Sequence, residues 1–109
     1  MNDTRLSRPE RSAQMRAERR QAIMRAAVET ASSMGFRSMT RESIAEAAGV
    51  AQGSINHEFG TMDALRDAVM LEAVNKERLD IVAQGLAERH PTACGAPAEM
   101  REAAVRALA

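Results

Sequence analysis

Gln52, Ser54, Asn56 and His57 place four hydrogen-bonding side chains within one short stretch of the chain. The amides of Gln and Asn can pair bidentately with adenine, and a Ser hydroxyl or a His ring can reach a base edge or a phosphate. The other reactive groups are scattered. His57 and Glu58 are adjacent, so on a helix they diverge and make a poor acid–base pair. His90 and Cys94, the latter in a Thr-Ala-Cys-Gly-Ala-Pro stretch, stand in no spacing relation to His57. One cysteine allows no internal disulfide, spells out no Cys-based metal site and reads as an incidental loop thiol. No catalytic residue, metal site or cofactor is expected, and an enzyme is the last of the function classes considered.

For the four polar side chains to share a surface, a helix must carry them. Between residues 51 and 59 the apolar Ile55 and Phe59 fall at helical spacing and leave Gln52, Ser54, Asn56 and His57 outward. A preceding helix starts at Thr40, a good N-cap, and presents Ile44, Ala47 and Ala48 on one small apolar face. Gly49 can leave that helix at positive φ, with Val50 as the apolar plug behind it. Two short helices around a glycine turn, the second with a polar outer face, form a helix-turn-helix pattern.

The flanks extend the helical reading. From residue 13 to 34, Ile23, Ala27, Ala31 and Met34 form an apolar stripe, while Arg16, Arg19, Arg20 and Arg25 lie off it. Gly35 is the expected stop, after which Phe36 and Met39 fold back onto the core. Beyond Phe59, Gly60 ends the motif and Thr61 caps a new helix with Asp63 near its positive end. Leu65, Val69, Ala73 and Lys76 mark one face, and the pattern continues through Leu79, Val82 and Leu86 to about Arg89. This predicts one long fourth helix, part of it projecting or covered by a partner. A Pro/Gly-containing break at residues 90–97 precedes a final short helix at 98–109 with Met100, Ala104, Val105 and Leu108 on one side. The chain shows no internal repeat, strand pattern or glycine-rich phosphate loop, so an all-α fold is predicted.

With 109 residues the chain has room for one domain with a modest core. Apolar residues make up 45% but only Phe36 and Phe59 are aromatic, so closely packed helices of Ala, Met, Leu, Ile and Val must build that core. No apolar run is long enough to span a bilayer and the arginine-rich start lacks a signal-peptide apolar region, which predicts a cytoplasmic protein with no membrane partner. The formal net charge is zero, but it is unevenly spread. Residues 1–41 carry nine Arg against four acids, a net +5, and residues 42–109 carry five Arg and Lys76 against eleven acids, a net −5. A basic half joined to an acidic half can set a positive patch on one surface.

Ile23-Met24-Arg25-Ala26-Ala27, Gly35-Phe36, Met39-Thr40, Ile44-Ala45-Glu46-Ala47-Ala48-Gly49-Val50, Gly53-Ser54-Ile55, Phe59-Gly60 and Ala64-Leu65 follow one another in an order that is itself informative. In that order and spacing, without gaps, the stretch from about Arg20 to Val69 resembles the N-terminal DNA-binding domain of the TetR family of transcriptional repressors. The resemblance implies a three-helix unit of the homeodomain-like TetR type carried on a fourth helix, with residues 52–57 as the recognition helix. It also implies binding as a homodimer, one helix per major groove, at a palindromic operator on double-stranded DNA. With Arg19 and Arg20 from the basic first helix and Thr40 and Arg41 from the start of the motif, the expected DNA-binding set is Arg19, Arg20, Thr40, Arg41, Ala51, Gln52, Gly53, Ser54, Asn56 and His57.

Four positions depart from the family pattern. Asn56 stands where a Tyr usually reaches the phosphate backbone, and Met62 where a Lys usually does. Glu58 puts a carboxylate near phosphates, and Ala51 replaces a Ser N-cap worth about 1 kcal/mol. The chain is also short beyond Val69, so an inducer cavity with walls from several elements, and hence a small-molecule effector, is not expected. The resulting division is a flexible basic arm at residues 1–12, the helix-turn-helix domain at 13–75 and a helical dimerisation extension at 76–109. The expected dimer surface is Leu71, Val74, Leu79, Val82, Leu86, Val105 and Leu108. The competing reading of that face is that the final helix covers it within one subunit. Two alternatives to a repressor are a TetR-like module that pairs with another regulator, as an anti-repressor or heterodimer partner, and a fragment of a longer ligand-responsive repressor.

Overall fold

The computed structural model describes residues 7–108, which fold into seven helices: α1 (Arg8–Met34), α2 (Arg41–Ala48), α3 (Gln52–Phe59), α4 (Met62–Asn75), α5 (Leu79–Ala87), α6 (Pro91–Cys94) and α7 (Ala98–Ala107). There is no strand among the described residues, so the fold is all-α. The α1–α4 unit packs around Ile23, Ala27, Phe36, Met39, Ile44, Ile55, Leu65 and Val69, all buried. The 53 Å long axis of the molecule exceeds the length of α1, about 40 Å for 27 residues.

α1 begins earlier than its apolar stripe suggests. Ser7 is the N-cap and accepts from the Glu10 amide at 3.3 Å, and its hydroxyl donates to the Glu10 carboxylate at 2.9 Å. Pro9 sits in the first turn, where its missing N–H costs nothing. Residues 8–12, expected in a flexible arm, are therefore helical. Capping chemistry needs no apolar periodicity, which is why the pattern missed it. The rest of the expected arm, residues 1–6 with Arg5, lies outside the described residues.

The expected long fourth helix is two helices. α4 stops at Asn75, Glu77 takes a positive φ of 54°, and the Arg78 amide donates back to the Ala73 carbonyl at 2.8 Å. The turn brings α5 back over α4, so that Ile81, Val82 and Ala83 become buried instead of standing in water. Burial of such side chains is worth about 1.5–3 kcal/mol each, enough to outweigh one strained backbone position. Polar bonds hold the corner against α1. Arg78 donates to Glu29 at 3.2 Å and lies 3.5 Å from Asp80, which accepts from the Ser32 hydroxyl at 2.7 Å.

α7 packs along α5, so the last helix does fold back within the subunit. Val82, expected at a dimer surface, is fully buried in this core, with Val74, Leu79 and Leu86 partly buried against it. Leu71, Val105 and Leu108 remain 53%, 59% and 67% exposed. The expected break at 90–97 contains α6, capped by His90. Its Nδ1 accepts from the Thr92 amide at 3.1 Å, its Nε2 faces Asp67 Oδ1 at 2.9 Å, and its ring meets Phe36 edge-on. His90 is a packing and capping residue. Among the described residues no helix is long and apolar enough to cross a membrane, and no group of three His, Cys, Asp or Glu could hold a metal ion.

Candidate nucleic-acid interface

The start of α2 is a reciprocal cap. Thr40 Oγ1 accepts from the Ser43 amide at 3.0 Å, and the Thr40 amide donates to Ser43 Oγ at 2.9 Å. Two of the donors that a helix start leaves open are thereby satisfied, which sets the angle at which the chain enters α2. Its far end closes through Gly49 in the left-handed region, φ 70°, with the Val50 amide donating to the Ala45 carbonyl at 3.0 Å. Only a residue without a Cβ takes that conformation readily. Val50 then packs partly against the core and turns the chain into α3.

α3 is seated by Ile55 and Phe59, both buried. That leaves Ala51, Gln52, Gly53, Asn56 and His57 exposed on its outer side, with Ser54 half-buried at the edge. No side chain caps the N-terminus of α3, as Ala51 predicts; the Ser54 amide donates to the Ala51 carbonyl at 3.0 Å, and the Gln52 and Gly53 amides are left open. A Cβ added at Gly53 would meet nothing within 4 Å, so packing inside the domain does not require this glycine.

Around this ridge the arginines divide into two kinds. Arg19 is exposed and Arg41 half-buried beside the start of α2. Arg20, expected in the DNA-binding set, makes contacts within the domain: its Nη1 donates to the Glu58 carbonyl at 2.7 Å and its guanidinium lies 4.2 Å from the Phe59 ring centroid. It closes the C-terminal end of α3 and stacks on an aromatic face, because α1 passes that end of α3. Arg66 also faces inward, donating to the Met39 carbonyl just ahead of the α2 cap at 3.4 Å.

Glu58 and Met62, two of the departures from the family pattern, are both partly buried. Glu58 is half-buried with Oε1 shielded from solvent, and Met62 packs partly against the core. Gln84 carries a role that no local sequence signal marks. Its side-chain oxygen accepts from the Phe36 amide at 2.6 Å, bracing the loop that delivers the chain to Thr40. The partners are 48 residues apart, and no local pattern links them.

The electrostatics of the brace are coherent. Burial works to raise the Asp80 pKa, but the Ser32 hydroxyl, the Arg78 charge and the Ile81 amide together hold it below the ordinary carboxylate value. Burial works to lower the Arg78 pKa, but Glu29 and Asp80 more than offset it and raise it.

Residues 23–69 match the family described as bacterial regulatory proteins, tetR family. The matched stretch runs from the buried half of α1 through the α2–α3 motif to Val69 on α4, which is the unit that positions the ridge. No significant match was found among curated proteins or solved structures. Residues 23–69 therefore form a helix-turn-helix DNA-binding domain of the tetR-family type.

Proposed function

We propose that this protein is a dimeric repressor acting in the cytoplasm, which lays α3 in the major groove of a palindromic operator. Gln52, Asn56 and His57 read base edges, while Ala51, Gly53 and Ser54 bring the start of α3 close to the backbone. Thr40, Arg41 and Arg19 hold flanking phosphates. The observation that carries this reading is the two-sided character of α3: Ile55 and Phe59 lock it into the core, and Gln52, Gly53, Asn56 and His57 stand together in solvent. The partial burial of Glu58 supports it further, since one oxygen of its carboxylate is shielded from solvent.

Dimerisation follows from energetics. One domain reading one half-site discriminates too weakly among genomic competitors, whereas two half-sites about 34–36 Å apart add their specificity. In this reading residues 13–75 bind DNA and 76–109 supply most of the contact between copies, through exposed Val105 and Leu108 with the partly buried Leu86.

Selection of bound DNA from a random pool tests the whole reading. A recovered palindrome with half-sites one helical turn apart supports it, and recovery of sequences no different from the input would sink it. Sedimentation equilibrium with and without that DNA tests the dimer, which a monomer under both conditions would rule out.

A further inference from the structure

The start of α1, ahead of the Arg20 contact with α3, has no partner among the described residues. Every residue from Arg8 to Arg19 is exposed, so this stretch projects as a free helix about 18 Å long. It buries no apolar face, and an isolated helix of this length is marginal in water. Its charges make matters worse. Arg8 and Arg11, and Arg16 and Arg19, are three residues apart, and Arg16 and Arg20 four, so like charges are neighbours on the helix surface.

The acids of the segment do not relieve this. Glu10 accepts from the Ser7 hydroxyl at 2.9 Å and Glu18 from the Gln14 amide at 3.3 Å. Arg8, Arg11, Arg16 and Arg19 have no ion-pair partner among the described residues. Helical geometry puts these four arginines in one sector of roughly 140°, with Glu10 opposite and Glu18 just beyond its edge.

We infer that this free start of α1 is a second DNA-contacting element, which lays Arg8, Arg11, Arg16 and Arg19 along phosphates flanking the half-site read by α3. The inference rests on the DNA-binding reading given above. Its direction comes from Arg20, which pins α1 to the C-terminal end of α3 through the Glu58 carbonyl and the Phe59 ring. Arg16 is one turn ahead on the same side, so the basic sector starts where α3 ends. From Arg8 to Arg19 it spans about 16 Å along the axis. A duplex presents a phosphate on each strand every ~3.4 Å, so the stripe matches a run of phosphates better than any single anion. Neutralising the arginines also removes the repulsion that weakens the helix.

The test compares the full chain with the triple variant Arg8→Gln/Arg11→Gln/Arg16→Gln on a duplex extending well beyond the selected operator. All three side chains are exposed, so the variant keeps the wild-type melting temperature. The expected result is a fall in the slope of log affinity against log salt of about 0.9 per lost contact, with affinity at low salt reduced at least about tenfold. On a duplex trimmed to the operator the difference between the two proteins shrinks; a difference of the same size there places the arginines inside the half-site and overturns the flanking role. An unchanged slope in a variant that still binds overturns the inference and leaves the α3 reading standing. Failure of the wild type to bind any duplex overturns both. Loss of binding to anionic lipid vesicles with DNA affinity intact assigns the stripe to membranes and also overturns it.

Discussion

The Arg20 guanidinium lies over the Phe59 ring, 4.2 Å from its centroid, and donates to the Glu58 carbonyl at 2.7 Å. One side chain of α1 thus stacks on the last residue of α3 and satisfies a carbonyl at the end of that helix. The tilt of α3 is tied to α1 through this contact.

Arg20→Ala is expected to lose about 1 kcal/mol of stability in urea denaturation, the size of an exposed cation–π contact with a charge-assisted hydrogen bond discounted for solvent. Its DNA affinity falls more than one lost phosphate contact explains, because α3 loses its anchor. Salt titration separates the two: a steady affinity loss across salt concentrations indicates mis-seating, and a loss confined to low salt returns Arg20 to the phosphate ligands.

Gln52→Ala is expected to cost about 1–3 kcal/mol of operator discrimination and much less on random DNA. Gln52 is exposed at the start of α3, so the melting temperature stays within a degree or two of wild type, in line with the small effect of surface substitutions. Equal losses on both DNAs would remove its base-reading role.

Gly85 lies where α5 crosses α4 and α6. A Cβ there would stand 2.5 Å from Met70 Cε and 2.7 Å from Ala93 Cβ. The methionine tip can swing aside, but the alanine methyl cannot. Gly85→Ala should destabilise by about 1–3 kcal/mol through overpacking. Adding Ala93→Gly should recover part of that loss, and thermal denaturation of the single and double variants checks the coupling.

The Asp80 cluster predicts acid sensitivity. Its folded pKa lies below the ordinary value, so the contribution of its carboxylate to stability is complete above the unfolded pKa of about 3.9 and is lost as pH falls through the folded value. Asp80→Asn removes that dependence. Melting temperature measured from neutral pH down to about pH 3, below the unfolded carboxylate value, should fall more steeply for the wild type than for the variant. Parallel curves would show that Asp80 does not contribute.

The polar ridge of α3 was legible because it follows local rules. Thr40, Gly49 and the Ile55–Phe59 spacing act on neighbours a few residues away, so capping, positive φ and helical periodicity place α2, their turn and α3 without the rest of the chain. The start of α1 was equally local, through Ser7, Pro9 and Glu10, but capping and not periodicity carried it.

Beyond this, packing between distant residues decided the outcome. The pattern from Leu65 to Leu86 suits one straight helix as well as two folded together. Burying Ile81 and Val82 against α4 selects the second, and a positive φ at Glu77 permits it. The same burial takes Val82 out of any dimer surface. Arg20 and Gln84 have roles set by partners 38 and 48 residues away. Periodicity marks which face of a helix is apolar; only the packed chain determines what that face meets and which polar side chains are consumed in holding it there.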